Sequence, residues 1–474
     1  MKHCTRLVAQ VLVLALALLA GCAPVGPDYQ RPSYELPQAF PGCASTPGAS
    51  LRADWWTLYG DTRLNELVSL ALERNSDIRI AVARIEEADA NLREANATFL
   101  PQIDLNAVPT RSRISSTQAT PLPGTVPAVR SNVRLTASTS FELDFWGRLR
   151  RGVESVRAQS LATRYAKDVV SLSLAGLTVQ AYFSVRSLDA QLAATRQTLK
   201  TREEALDYVR RRARGGIASD LDLSQAESAR ADSAVQLKDL QRQRTLAENQ
   251  LATLTGRLDL SVPGGDLLAL PVPPLPPAGL PSALIERRPD IRQAEQALVS
   301  ANAQIGVAKA AMLPTISLTG IDGWESKALS SLLQGTSGIW SMGFALSLPI
   351  FDWGRLDARA DAAVARERQA LASYQKSIET GFREVADALA NAQQTTAAEA
   401  DYQVRVEASR RTLRLAKLRY EAGYSGYLEV LDAQRTANDS ELAFVRNRQA
   451  RLSASVDLMK ALGGGWSAET PAKP

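Results

Sequence analysis

Hydrophobic positions along the chain change period repeatedly, and the changes mark its elements. Over residues 61–98 and 282–312, Ala-rich helical sequence runs up to a Leu-Pro step, Leu100-Pro101 and Leu313-Pro314, where a helix should break. Alternation follows each break. Trp340, Met342, Phe344, Leu346, Leu348 and Ile350 interleave with Ser341, Gly343, Ala345, Ser347 and Pro349, a period of two that predicts a strand with one apolar face. Val133, Leu135, Ala137, Thr139, Phe141, Leu143 and Phe145 alternate in the same way with Asn132, Arg134, Thr136, Ser138, Ser140, Glu142 and Asp144. Weaker partners precede both, at Ile103, Leu105 and Ala107 and at Ile316 and Leu318, so each region predicts one hairpin, over about 102–145 and 315–352. Strands of about ten residues cross a bilayer when tilted.

The helical period then returns for two long, proline-free stretches, Gly152 to Arg214 and Ala358 to Glu421. Leu371, Tyr374, Ile378, Phe382, Val385 and Leu389 step by three or four, as do Leu188, Leu192, Leu199, Leu206 and Val209. Roughly sixty residues at 1.5 Å each make a helix of about 90 Å. Helices of that length pack as coiled coils. Each stops at a glycine loop, with Gly216, Ile217, Ala218 and Ser219 in one and Gly423, Tyr424 and Ser425 in the other. Returning helices over about 220–254 and 427–461 run back antiparallel. The uncharged stretch Val169–Val185 falls short of the ~18 residues of a spanning helix. With Ser171, Ser173, Thr178, Gln180 and Ser184 inside it, it reads as a buried bundle segment.

These elements occur twice. Asp77-Ile78-Arg79 recurs as Asp290-Ile291-Arg292, and Phe99-Leu100-Pro101 as Met312-Leu313-Pro314, at an offset of 213. Trp146, Gly147 and Arg148 match Trp353, Gly354 and Arg355, and Gly216 and Gly256 match Gly423 and Gly463, at 207. The difference falls in a loop of the first copy rich in proline (Pro121, Pro123, Pro127). Between the copies, Pro263 to Pro281 holds seven prolines in nineteen residues, a stiff extended connector. The predicted division is a leader over 1–21, an N-terminal segment over 22–60, repeats over 61–262 and 282–465 separated by the linker 263–281, and a tail over 466–474.

Composition narrows the function. With 45% hydrophobic and 22% charged residues, the chain of 474 is too apolar for disorder and too charged for a polytopic helical membrane protein. Residues 1–22 read as a secretory leader: basic Lys2 and Arg6, an uncharged run from Leu7 to Ala20, then Leu19-Ala20-Gly21-Cys22. The only histidine, His3, leaves with it, which excludes His-based triads and His-rich zinc sites. Cys4 leaves too, and Cys22 and Cys43 cannot make a disulfide framework. Loss of Lys2 and Arg6 lowers the formal charge from +5 to +3, which argues against a nucleic-acid partner. No nucleophile and base converge, and no phosphate-binding Gly-x-x-x-x-Gly-Lys motif is present, so neither an enzyme nor an energy-coupling subunit is expected.

Four strands with one apolar face suit a lipid-facing wall but cannot close, since the smallest membrane barrels need about eight. Either several chains share one barrel, or the sheet is soluble and lays that face on helices. A lipid-anchored scaffold without a pore is the alternative to a channel.

The residues resemble a family. Val25-Gly26-Pro27-Asp28-Tyr29-Gln30-Arg31-Pro32, Asp54-Trp55-Trp56 and Gly279-Leu280-Pro281-Ser282-Ala283-Leu284-Ile285-Glu286-Arg287-Arg288-Pro289-Asp290-Ile291-Arg292 are similar to signatures of the outer-membrane efflux proteins. Within that TolC-like and OprM-like family the chain resembles the NodT-like lipoprotein branch, although Ala283 replaces an acidic residue usual there. Leu-Ala-Gly-Cys resembles a lipobox, which implies acylation of Cys22, and Ala23 after it implies sorting to the outer membrane. The resemblance implies an α plus membrane-β fold: a homotrimer whose twelve strands form one outer-membrane barrel, continued by a coiled-coil helical tunnel through the periplasm. It implies no cofactor beyond the lipid. Its implied partners are a periplasmic adaptor (membrane fusion protein) and an inner-membrane transporter, of the RND type in preference to the ABC or MFS types. The function implied is a passive exit duct for small toxic compounds or drugs.

Candidate site residues follow. Leu428, Asp432 and Arg435 share a helix face, with Glu429 beside them. Alone this suits a solvated ion pair; the segment is similar to the one that lines the family's periplasmic gate, where Leu428 and Asp432 would form rings and Arg435 would tie neighbouring helices. The two glycine loops alone suit helix termination, and by resemblance they dock the adaptor, with Tyr424 a departure from the usual small aliphatic residue. Trp146, Gly147 and Arg148, with Pro349, Trp353, Gly354 and Arg355, mark the barrel-to-helix transitions.

Overall fold

The computed structural model describes residues 24–35, 37, 40, 52–115, 117, 127–274 and 284–465. Cys22, Cys43, most of the Pro-rich loop and the motif from Gly279 to Ala283 lie outside them. The elements are α1 Thr62–Arg74, α2 Ser76–Ala97, β1 Gln102–Arg113, β2 Val129–Leu143, α3 Arg148–Arg214, α4 Asp220–Thr255, α5 Pro289–Ala310, β3 Thr315–Ser326, β4 Gly338–Ser347, α6 Arg355–Glu421 and α7 Tyr427–Ala461. The order repeats as helix, hairpin, long helix, return helix. Both long helices have 67 residues, near 100 Å at 1.5 Å per residue.

The chain divides into two compact units. One comprises the N-terminal stretch to Pro32, Ile85–Ala162 and Ala294–Ser373. It holds an antiparallel sheet in the order β1-β2-β3-β4, so the two predicted hairpins join through β2 and β3. The register puts Leu105 opposite Ala137, Ala137 opposite Asp322 and Asp322 opposite Trp340. Paired residues share a face, which gathers the alternating apolar positions of all four strands on one side. Leu348 and Ile350, expected within the last strand, lie beyond its end at Ser347. Pro349 between them has no N–H for the ladder. Small residues let helices approach closely in this unit, where Ala308, Ala360 and Ala363 pack with Ile305.

The other unit comprises Ser33–Arg84, Thr163–Gln293 and the chain from Tyr374. Its main core joins Trp55, Tyr59, Leu64, Leu67 and Val68 to Val179, Tyr182, Phe183 and Val185 of α3, to Leu251 of α4 and to Leu452 and Val456 of α7. α3 is, by length and composition alone, long and apolar enough to cross a membrane. Its residues within Val169–Val185 nevertheless supply this core, as the polar residues among them predicted. Two tyrosine hydroxyls of this core are paired: that of Tyr59 lies 2.7 Å from Ser455 Oγ, and that of Tyr182 donates to Asp61 while accepting from Arg186 Nε at 2.8 Å. Arg186 Nη1 also donates to the Pro263 carbonyl at 2.7 Å, and Arg244 Nη2 to that of Val262 at 2.6 Å. Charged side chains thus fix the start of the linker, whose prolines offer carbonyls but no N–H.

Candidate functional site

The sheet has two chemically distinct faces. On one, Ile103, Leu105, Trp340, Met342, Phe344 and Leu346 are all exposed, Trp340 by 80%. A soluble sheet resting on helices would hide these side chains, so the arrangement fits a wall turned toward lipid. The other face is polar and hydrogen-bonded across strands. Asn106 Nδ2 donates to Ser138 Oγ at 3.0 Å, and Glu325 accepts from Asn132 Nδ2 at 2.8 Å and from Arg134 Nε at 2.9 Å. Such a face suits water.

Each hairpin passes into its long helix through the predicted junction. After β2, Asp144 caps α3 by accepting from the N–H groups of Leu149 and Arg150, both at 2.9 Å. Trp146 Nε1 donates to the Pro314 carbonyl at 2.7 Å, and Arg148 Nε to Glu142 at 2.8 Å. After β4, Asp352 caps α6 through Gly354 and Leu356. The two capping aspartates are displaced by one position between the copies, so the motif keeps its chemistry and shifts its register. Gly147 and Gly354 both have φ of +76°, a conformation glycine adopts without penalty. Trp353, with φ of +59°, is the one non-glycine residue with positive φ among the described residues. Its indole is exposed, as are Pro349 and Arg355.

The stretch after Cys22 forms a strap within the sheet-bearing unit. The Val25 N–H donates to the Trp146 carbonyl at 2.9 Å, the Pro27 carbonyl accepts from Asn302 Nδ2 at 2.9 Å, and Asp28 pairs with Arg151. Arg31 clasps Glu295 with two bonds, at 2.6 and 2.8 Å. Gly26 lies against Gly306: a Cβ on Gly26 would meet Gly306 Cα at 2.6 Å. This close approach went unread in the sequence.

At the far end of the helices, Gly216 and Gly423 turn the chain with φ of +72° and +79°. Ser219 caps α4 in a reciprocal box with Asp222, whereas Gly426 begins α7 with no side-chain cap. Ile217 and Tyr424, equivalent in the two copies, are exposed, and Ala218 packs on a core of Leu206, Val209, Ala226, Tyr420, Tyr427 and Val430. Arg212 lies over the rings of Tyr420 and Tyr208, at 5.2 and 5.7 Å. Burial pushes the Tyr427 hydroxyl up to about 12, with Tyr420 adding to the effect. The sequence signal for this aromatic cluster was only the clustering of tyrosines beside both glycine loops.

The predicted gate residues fall on the uncovered side of α7. Tyr427, Val430, Ala433 and Gln434 are buried, while Leu428, Glu429, Asp432 and Arg435 are exposed. Arg435 Nη2 donates to Asp432 Oδ1 at 2.7 Å, a pair within one helix where a tie between helices was expected. A spacing of three residues puts the two in reach. Glu429 lies 3.7 Å from Arg419 of α6. Ser425 Oγ is buried without a hydrogen-bond partner.

Known proteins share this arrangement. The family model described as outer membrane efflux protein matches the chain twice, over residues 67–257 and 280–464. The chain belongs to the outer membrane efflux protein family. The efflux protein is 37% identical to outer membrane protein OprJ of Pseudomonas aeruginosa, over 96% of each chain. It is 34% identical to the cation efflux system protein CusC of Escherichia coli, covering 96% of this chain and 97% of that one. Among solved structures it resembles the open state of the Neisseria gonorrhoeae MtrE outer membrane channel, at a TM-score of 0.82 and 33% identity, over 95% of this chain and all of that one. The efflux protein is therefore an outer-membrane channel subunit that extends into the periplasm, and its four strands are one third of a twelve-stranded barrel shared by three copies.

Proposed function

We propose that this chain is the passive exit duct of a tripartite pump for small toxic compounds, anchored by a lipid on Cys22 and gated by Leu428, Asp432 and Arg435. The single observation that carries the gate is the division of α7: an apolar side is packed in the bundle, and Leu428, Asp432 and Arg435 stand exposed together on the other. Three carboxylates on a shared axis would favour cations, and three leucines can close a pore by dewetting. Glu429, beside them, pairs with Arg419 of α6. The exposed pair Ile217 and Tyr424, raised on the glycine turns at Gly216 and Gly423, supports these loops as the adaptor's docking points. An inner-membrane transporter of the RND type completes the assembly. Relatives carry names as different as cation efflux and toluene efflux, which supports a duct that leaves cargo selection to its partners.

The strap supports the anchor. Val25, three residues after Cys22 in the sequence, is bonded beside the barrel-to-helix junction. An acyl chain there would enter the near leaflet.

The test is single-channel conductance of the trimer in planar bilayers. Asp432→Ala combined with Arg435→Ala should raise conductance several-fold and weaken cation preference. Unchanged conductance and selectivity would remove these residues from the gate.

A further inference from the structure

The lipid-facing side of the sheet carries few charges. Strand alternation and the register place three charged residues of the strands on the apolar face: Arg111 and Arg113 on β1 and Asp322 on β3. Arg111 and Arg113 are the last two outward positions of β1, at the end of the sheet away from the helix junctions. Both are exposed. On the water-facing side Arg134 pairs with Glu325. Neither Arg111 nor Arg113 has an ion-pair partner among the described residues.

Height decides what they meet. At about 3.3 Å per residue and a tilt near 40°, Arg111 stands about 20 Å and Arg113 about 25 Å above the level of Ile103. The apolar band of such a barrel is about 25 Å tall. The two guanidinium groups therefore emerge at the outer edge of the hydrocarbon, where the cost of a lipid-facing arginine falls away. Trp340 and Trp324 occupy the first or last large apolar outward positions of β4 and β3, and the register sets them with Leu105 and Ala107 of β1, short of the arginines. Asp322, directly opposite Trp340, leaves this face with a net positive charge. In a closed ring of three sheets β4 of one copy adjoins β1 of the next.

We infer that Arg111 and Arg113 form a binding surface for phosphate-bearing lipid headgroups of the outer leaflet. Two guanidinium groups two residues apart on one strand face offer paired donors to phosphate oxygens. Lysine would supply charge without the paired geometry.

The experiment is native mass spectrometry of the purified trimer exposed to diphosphoryl lipid A, with its monophosphoryl form as comparison. Wild-type trimers should retain the diphosphoryl form preferentially. Arg111→Gln with Arg113→Gln should reduce that retention at least five-fold and abolish the preference, while the trimer mass stays unchanged. Arg130→Gln, which removes a charge from the opposite face at the same rim, should have no effect. Competition by millimolar inorganic phosphate would assign the arginines to a free anion and overturn the headgroup reading. So would undiminished preference in the double variant, or an equal loss in Arg130→Gln. These readouts use closed or open trimers alike, so they stand apart from the gate.

Discussion

Gly306 shows how a single hydrogen can fix the N-terminal strap. A Cβ there would meet the Val25 carbonyl at 2.7 Å and Arg151 Cγ at 2.8 Å, while Gly26 on the other side holds φ at +104°. No rotamer relieves a clash with backbone. Gly306→Val should therefore release the strap at a cost of about 1–3 kcal/mol. Limited proteolysis should cut the variant between Pro24 and Pro32 much faster than wild type, with helix content unchanged. Equal cutting rates would mean that Arg31 and Asp28 hold the strap without the glycine contact. The sequence displayed Gly26 inside a motif, but nothing in residues 24–32 reveals that its neighbour is 280 positions away. The same applies to Arg186, whose partners at Asp61, Tyr182 and Pro263 meet only in the folded core.

Elements were far more legible than contacts, because periodicity is written locally. Alternation at Trp340, Met342, Phe344 and Leu346 foretold both the strand and its apolar face, and the absence of proline after Gly152 foretold a helix that runs unbroken to Arg214. Of the proposed gate, the shared face of Leu428, Asp432 and Arg435 was legible from spacing. Its buried counterpart was not, since Tyr427 and Tyr420 meet across two helices, with ring centroids 5.4 Å apart. That packing gives the helix tips an alkaline weakness. Burial raises the Tyr427 hydroxyl to about 12 from 10.0, so the folded tip binds this proton more tightly than the unfolded chain does. The resulting stabilisation is complete below pH 10 and is lost as pH rises through about 12, an amount of about 2–3 kcal/mol. Melting followed by circular dichroism should show wild type losing more stability than Tyr427→Phe between pH 10 and 12. Parallel losses in the two proteins would place the alkaline transition elsewhere.

At the scale of the molecule, the sheet's order leaves β1 and β4 as its two edges, and an unpaired strand edge cannot stand in hydrocarbon, where nothing satisfies its N–H and C=O groups. Each β1 must therefore pair with a β4 from another copy. That contact is heterologous, so it either closes into a ring or propagates without end. Closure at three gives twelve strands and removes every edge. The scarcity of cysteine makes the distinction measurable, because on the proposed acylation of Cys22 only Cys43 needs replacing before new thiols are introduced. In a Cys43→Ser background, Ala107→Cys on β1 and Phe344→Cys on β4 should be joined between copies by a flexible bismaleimide. Denaturing gels should then show covalent dimers and trimers, with trimer dominating at long times and no larger species. Bands beyond trimer would show a contact that fails to close. Dimers alone would show edges that pair like with like, which would leave β1 or β4 open and be incompatible with the shared barrel.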